Sequence, residues 1–85
     1  EPLLFRKLFK RFKRNLQNAE KLIIIGYGCK DKGINEMIME YFDYANKPVF
    51  IIDKYAGDTV IEFGDSVNAK LYKIDINNIK EELFI

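Results

Sequence analysis

Two glycines and an aspartate are the residues whose types and spacing first suggest chemistry. Gly26 and Gly28 follow the apolar run 22–25, and Asp53 follows a second apolar run, 49–52. Glycine at a strand end can adopt a positive φ and lets a ligand approach the backbone closely. The N–H groups of such a turn bind phosphate, and a carboxylate at the next strand end accepts hydrogen bonds from a ribose. These residues indicate a site for the sugar and phosphate groups of a nucleotide.

The glycine spacing by itself leaves two interpretations open. Gly26, Gly28 and Gly33 form G-x-G-x-x-x-x-G, which differs from the dinucleotide fingerprint G-x-G-x-x-G, and no Gly-Lys-Ser/Thr ending of a P-loop follows. A tight turn between a strand and a helix, with no ligand, explains the same glycines. Asp53 likewise either faces a ribose or begins a loop, as aspartate often does.

Each polar residue near the glycines also has two possible roles, one structural and one in ligand binding. Asp31 precedes a helical pattern, where it either caps the helix N-terminus or faces the ligand. Asn35 faces either the same crevice or water, and Tyr27 either stacks on a ligand ring or is buried. Cys29 is predicted to be a small apolar filler, because only Lys30 is near enough in sequence to activate its thiolate.

Hydrophobic periodicity predicts the elements that position these residues. Apolar positions three and four apart predict helices, and apolar runs bounded by turn residues predict strands. The predicted order is a helix over 3–19, a strand over 21–25, a helix over 33–45, a strand over 49–52, a strand over 69–75 and a last helix over roughly 77–84. Residues 59–64 form either a short helix or an edge strand, and a helical turn is favoured because a crossover should separate parallel strands. The first two strands are continuous apolar runs, typical of strands buried on both faces, whereas the third alternates and suits a sheet edge.

This order predicts an α/β fold with a small parallel sheet and flanking helices in three layers. Strands joined by helical crossovers are typical of half of a Rossmann-type domain. At 85 residues the chain is a single domain, 1–85, which we expect to be a fragment of a larger one.

The composition excludes several kinds of site. The chain has no histidine and a single cysteine, so it can form no Ser-His or Cys-His pair, no histidine metal site and no internal disulfide. We therefore expect no catalytic residue and no metal site here, and the lone cysteine favours a cytoplasmic location. No apolar run approaches the roughly 20 residues of a membrane span, so we expect no membrane partner.

Charge is unevenly distributed along the chain. Residues 1–14 contain six basic residues and one acidic residue, whereas residues 15–85 contain eight lysines and twelve acidic residues. The first helix is therefore either a layer helix that packs its aromatic stripe on a sheet or a basic helix that binds nucleic acid or an anionic membrane. The width of the apolar stripe favours the layer helix over nucleic-acid binding. This helix, or an exposed sheet edge, could also join two copies in a homodimer.

One segment resembles the motif of a known family. Leu16 and Ala19, followed by residues 22–35, resemble the sirtuin-like domains of microbial proteins, whose motif is G-Y-[SG]-x-x-D-x-x-I-N. The residues that match this motif are Gly26, Tyr27, Gly28, Asp31, Ile34 and Asn35. The resemblance covers roughly residues 3–55. Such domains are distant relatives of the sirtuin deacylases, share their Rossmann-type NAD-binding fold, and hydrolyse NAD in several bacterial defence systems.

The resemblance implies NAD as the cofactor. It places Gly26, Tyr27 and Gly28 where sirtuins have Gly-Thr-Ser, near the nicotinamide ribose and phosphates. It places Asp53 where sirtuins have asparagine, against the adenosine ribose. With Asp31 and Asn35, these residues form the predicted cofactor side of the crevice.

The resemblance also limits what this chain can do. The family's first glycine-rich turn and its catalytic Asn and His precede the matched region, so the chain resembles the C-terminal half of such a domain. We expect the parent to bind or hydrolyse NAD, in the setting of antiviral defence, and the chain itself to be inactive. The alternative is a non-catalytic protein-interaction or nucleotide-sensing module whose crevice is closed by Tyr27 or Met37.

Overall fold

A computed structural model describes residues 3–80, with side chains described from residue 6 onward. Its elements are α1 (Leu3–Asn18), β1 (Leu22–Ile25), α2 (Lys32–Tyr41), β2 (Val49–Ile52), α3 (Asp58–Ser66), β3 (Lys70–Tyr72) and a 3-10 helix (Ile76–Asn78). The strands form one parallel sheet in the order β1-β2-β3. The predicted small parallel sheet with flanking helices is therefore confirmed.

The core lies between one face of the sheet and the helices. Ile24, Ile51 and Leu71 are neighbours in the strand register and share this face. The face forms one hydrophobic cluster with side chains from all three helices, which are Leu16, Met37, Ile38, Val60 and Phe63. Gly64 lets α3 lie close to β2, because a Cβ at this position would be 3.4 Å from Ile51 Cδ1.

Among the α1 side chains described from residue 6 onward, those that pack on the body of the molecule lie in the second half of the helix. Leu16 is buried, and the Lys13 ammonium lies 4.8 Å from the centroid of the Tyr41 ring on α2. Residues 6–10 are all exposed, including Leu8 at 53% and Phe9 at 43%. Sixteen helical residues span about 24 Å, whereas a four-residue strand spans about 13 Å. The layer-helix prediction therefore applies to the second half of α1.

Strand β1 differs from the prediction of a strand buried on both faces. Ile23 and Ile25 are 38% and 52% exposed, whereas Ile24 between them is buried. The physical reason is position in the sheet, because β1 pairs only with β2 among the described residues. For β2 the prediction is confirmed, since all four of its residues are buried.

Helix α2 is shorter than predicted, since it ends at Tyr41 and not at residue 45. Phe42 leaves the helix with extended backbone dihedrals and buries its ring in the core. The carbonyl of Asp43 then accepts hydrogen bonds from the N–H groups of Asn46 and Lys47, and the Asn46 side chain donates to the Asp43 carboxylate. These local bonds compete with the helix and turn the chain towards β2.

The last third of the chain agrees with the prediction only in part. The helical turn within 59–64 is confirmed as α3. The third strand stops at Tyr72 rather than 75, because Tyr72 pairs with the last residue of β2, Ile52.

The predicted helix over 77–84 is wrong in the residues that the structure describes. A 3-10 helix ends at Asn78, and Ile79 has extended backbone dihedrals. The Asp75 carboxylate accepts from Asn77 N at 2.9 Å and so closes a local turn, while the inward positions of residues 83 and 84 lie outside the described residues.

Candidate functional site

The glycine turn has the backbone conformation that its residues predict. Gly26 N donates to Ile52 O at 3.0 Å and so extends the pairing of β1 with β2 by one bond. The φ angles of Gly26, Gly28 and Cys29 are +60°, +76° and +55°, in the left-handed region. A Cβ at either glycine would meet nothing within 4 Å, so glycine is favoured here by the backbone dihedrals and not by lack of space. The space beside both residues is open.

Asp53 and Gly26 both follow the carboxyl ends of neighbouring strands, at the same end of the sheet. Ile25 pairs with Ile52 in parallel register, so the residues that follow them begin at the same end of neighbouring strands. Asp53 N donates to Tyr72 O at 3.0 Å, which ties the loop to β3, and Asp53 Oδ1 accepts from Tyr55 N at 3.0 Å. The predicted meeting of glycine turn and carboxylate at the carboxyl ends of the strands is therefore present.

Asp53 lines two cavities of different chemistry. The first has a volume of about 290 Å³. Four isoleucines line it together with Gly26 and Tyr55, and so do the charged residues Asp53, Lys54 and Asp75; the isoleucines are Ile25, Ile52, Ile74 and Ile76. The second has a volume of about 310 Å³ and is lined by Gly28, Lys30, Asp53, Tyr55 and residues 57–60 at the start of α3. The first cavity suits an aromatic or apolar group, and the second suits a charged group.

The second cavity is lined by both positively and negatively charged side chains. Lys30 supplies a cation, while Asp53 and Asp58 supply carboxylates. The N-cap of α3 is Gly57, whose lack of a side chain leaves the first-turn N–H groups without a side-chain acceptor. An anion placed here would meet Lys30 and the positive end of the α3 dipole.

Asp31 and Tyr27 brace the loop that leads into α2. Asp31 Oδ1 accepts from Ile34 N at 3.1 Å, as an N-cap does. The Tyr27 hydroxyl accepts from Asp31 N at 3.1 Å and donates to Asp31 O at 2.9 Å. Neither side chain lines a cavity that contains Asp53. Because a carboxylate already occupies the N-terminus of α2, a phosphate is disfavoured at that helix end.

Asn35 lies on a different surface from Asp53. Its Nδ2 donates to Cys29 O at 2.9 Å, and its Oδ1 is buried with no hydrogen-bond partner among the described residues. The residue lines a groove between α2 and α3. Gly26 and Gly28 thus each line a cavity with Asp53, whereas Asn35 lines a different groove. The cofactor role of all six residues stays a prediction.

Cys29 is a packing residue in this turn. Its side chain is 1% exposed and belongs to the hydrophobic core, which confirms the predicted apolar filler. Burial raises the pKa of the thiol above its ordinary value, and the negative charge of Asp53 raises it further. The thiol is therefore neutral near pH 7 and is not an activated nucleophile.

The raised pKa of Cys29 predicts a loss of stability in alkali. The folded state holds the thiol proton more tightly than the unfolded state, whose thiol has a pKa of about 8.5. This contribution is therefore complete below pH 8.5 and is lost as the pH rises through the folded-state pKa. We expect the free energy of unfolding, measured with urea from pH 7 to 10, to fall less for Cys29→Ala than for the unchanged chain. Equal slopes would contradict this assignment.

Asp31 gives a second stability prediction. Replacing Asp31 with alanine removes the acceptor for Ile34 N and a favourable charge at the start of α2, and we expect a loss of about 1 kcal/mol. Urea unfolding followed by circular dichroism measures it. Asp31→Asn is the matched control, because asparagine also caps helices and should keep most of the stability. A loss equal to that of alanine would show that the cap is not the cause.

Sequence reasoning missed several residues that line the two cavities. Tyr55 follows β2, Ile74 and Asp75 follow β3, and Lys30 and Gly57 precede helices. All of them lie beyond the carboxyl ends of strands, where ligands bind in open α/β sheets. That rule identifies the loops after the strands, but it does not identify which of their side chains line a cavity.

The chain has no significant similarity to any protein-family model, curated protein or solved structure. The sirtuin-like resemblance therefore stays a prediction from the motif. Among residues 3–80, no helix is long and apolar enough to cross a membrane. The same range contains no cluster of three His, Cys, Asp or Glu residues that could hold a metal ion.

Proposed function

We propose that this chain forms the ribose- and phosphate-binding side of a nucleotide site, with NAD as the ligand. In this proposal it is the C-terminal part of a sirtuin-like domain whose parent binds or hydrolyses NAD in the cytoplasm. The observation that carries the proposal is the position of Asp53 between two cavities, one bordered by Gly26 and the other by Gly28 and Lys30.

The chemistry of the two cavities suggests how the ligand is arranged. The apolar cavity accepts a planar ring between isoleucine side chains, and the Asp53 carboxylate accepts hydrogen bonds from ribose hydroxyls. The phosphates then extend towards Gly28 and Lys30. Each cavity is near the lower limit of the roughly 300–1,000 Å³ typical of ligand sites, so each takes one part of a nucleotide.

The proposal assigns binding, and not bond cleavage, to this chain. The 85 residues contain no histidine, and the only cysteine is buried with a raised pKa. In the family that the motif resembles, the catalytic Asn and His precede the matched region, so in this proposal the parent supplies them.

An NMR titration of the ¹⁵N-labelled chain tests the proposal. We expect NAD and ADP-ribose to shift the amide signals of Gly26, Gly28 and Asp53 first, with a dissociation constant on the order of 1 mM for half of a site. Ribose 5-phosphate should shift the same signals more weakly. Unchanged signals up to about 10 mM NAD, or shifts confined to surfaces away from these residues, would contradict the proposal.

The alternative is a protein-interaction module, and one observation favours it. This alternative predicts a crevice that is closed by Tyr27 or Met37. Met37 instead packs in the core, and neither residue lines either of the two cavities that contain Asp53. The exposed side chains of Leu8 and Phe9 on α1 instead favour an interaction surface away from the crevice. Self-association without any response to NAD would support this alternative.

A further inference from the structure

Tyr55, in the loop after β2, presents its ring to solvent beside the candidate site. Its side chain is 82% exposed, and Phe9 is the other exposed aromatic side chain among residues 6–80, at 43%. A ring this exposed is not part of the described hydrophobic core and adds little burial energy to the fold. Single exposed apolar residues are common on protein surfaces, so it is the position of Tyr55 that suggests a role for it.

The position of Tyr55 is set by Asp53. Tyr55 N donates to Asp53 Oδ1 at 3.0 Å, which closes a local turn directly after β2. These two residues are also the ones that line both cavities at the carboxyl end of the sheet. The carboxylate keeps further acceptor sites, because its two oxygens have about four lone pairs. An aromatic ring and a hydrogen-bond acceptor for hydroxyls therefore border the same space.

The first cavity, of about 290 Å³, also offers aliphatic surface to a planar group. Its four isoleucines lie at or just after the ends of three neighbouring strands, and they are Ile25, Ile52, Ile74 and Ile76. Ile25 and Ile76 are 52% and 46% exposed, so a group that covers them removes apolar surface from water. A planar aromatic base gains from both kinds of wall, by stacking on the ring and by burial against the isoleucines.

The Tyr55 ring already contacts a cation. The Lys54 ammonium lies 5.4 Å from the ring centroid and 3.9 Å from Asp75 Oδ2. Because Lys54 lines the first cavity, this contact places a face of the ring at that cavity. The contact of an exposed ammonium with a ring is weaker than the stacking of a base on it. A base can therefore displace Lys54, which keeps Asp75 as its partner.

Tyr27, the other tyrosine beside the glycine turn, is unsuited to stacking on a ligand in these cavities. Its hydroxyl accepts from Asp31 N and donates to Asp31 O, which fixes the side chain against the loop before α2. Tyr27 lines neither cavity that contains Asp53. Of the two tyrosines, Tyr55 is therefore the one that a nucleotide in these cavities would meet.

We propose that Tyr55 is the base-binding residue of the nucleotide site, with its ring stacked on a purine base in the first cavity. The inference rests on the proposed function, in which this base is the adenine of NAD, and it adds the group that distinguishes a nucleotide from a sugar phosphate. Asp53 accepts hydrogen bonds from the ribose of the same nucleoside. Two residues of one turn thus hold the two parts of the nucleoside.

NMR titration of the ¹⁵N-labelled 85-residue chain with AMP and with ribose 5-phosphate tests this inference. The two probes share the ribose and the phosphate and differ in the base. We expect AMP to bind about tenfold more tightly, since stacking of a base on an aromatic side chain has an effect of this order. Both probes should shift the amide signal of Asp53. Only AMP should shift the ring protons of Tyr55 upfield, because these protons then lie over the base.

Substitutions at Tyr55 make the test specific. Tyr55→Ala should weaken AMP binding about tenfold, to the level of ribose 5-phosphate, and should leave ribose 5-phosphate binding unchanged. Tyr55→Phe keeps the ring and should keep most of the affinity for AMP. Phe9→Ala removes the other exposed aromatic ring, which lines neither cavity, and should leave both affinities unchanged. All variants are first checked for folding by circular dichroism.

The possible outcomes separate the role of Tyr55 from the rest of the site. If the unchanged chain binds AMP and ribose 5-phosphate equally, with shifts at Gly26, Gly28 and Asp53, the proposed function stands and the role of Tyr55 is overturned. The same holds if Tyr55→Ala leaves AMP binding unchanged, weakens the binding of both probes equally, or loses no more affinity than Tyr55→Phe. A chain that binds neither probe would overturn both proposals.

Discussion

Replacing Ile51 with alanine should lower the free energy of unfolding by about 3 kcal/mol. Ile51 lies in the central strand, is 1% exposed, and packs between Ile24 and Leu71 on the face that forms the core. Its Cδ1 also supports the close approach of α3 at Gly64. The loss combines the transfer energy of the removed atoms with the energy of the cavity they leave. For a small domain this is a large part of the total stability.

Ile23→Ala is the matched control for this prediction. The same side chain is removed from the same sheet, but Ile23 is partly exposed on an edge strand, so we expect less than about 1 kcal/mol. Urea unfolding followed by circular dichroism measures both variants. Similar losses at the two positions would show that the core does not lie where the structure places it.

Replacing Asp53 with alanine should weaken NAD binding by about 1–2 kcal/mol, or roughly 5–30-fold, in the titration described above. The carboxylate is the only charged side chain that both cavities share, and in the proposed arrangement it accepts hydrogen bonds from ribose hydroxyls. The substitution also removes the acceptor for Tyr55 N, so the variant is first checked for native stability.

Two further variants separate the role of Asp53 from general effects of charge. Asp53→Asn keeps an oxygen acceptor for Tyr55 N and for the ribose, so its loss should be smaller than that of alanine. Asp65→Asn removes one negative charge from an exposed position on α3 that lines neither cavity, and binding should be unchanged. An unchanged affinity in Asp53→Ala would remove Asp53 from the proposed site.

The features that could be predicted from the sequence are those with a local cause. The apolar run 49–52 predicts a buried strand because a short apolar run bounded by turn residues is typical of a strand buried on both faces. Gly26 and Gly28 predict a turn because only glycine adopts positive φ without steric cost. The place of Asp31 before a helical pattern predicts a possible helix cap, and the place of Asp53 after a strand predicts a residue at the carboxyl end of the sheet.

The features that the sequence left undetermined depend on which segments become neighbours. The run 22–25 resembles the run 49–52, yet Ile23 and Ile25 are exposed, because a strand's burial depends on its place in the sheet. The exposure of Leu8 and Phe9 follows in the same way from the length of α1 relative to the surface beneath it.

The candidate site likewise has features with a local cause and features that depend on tertiary contacts. Its glycines and carboxylate could be found from spacing, but the separation of Asn35 from Asp53 could not, since the groove that Asn35 lines exists only where α3 packs beside α2. Nor could the contribution of Tyr55, Ile74 and Lys30 to the cavities be predicted, because these residues meet only after three strands have aligned. Local conformation is governed by each residue and its neighbours, whereas burial and the walls of a cavity are governed by contacts between distant segments.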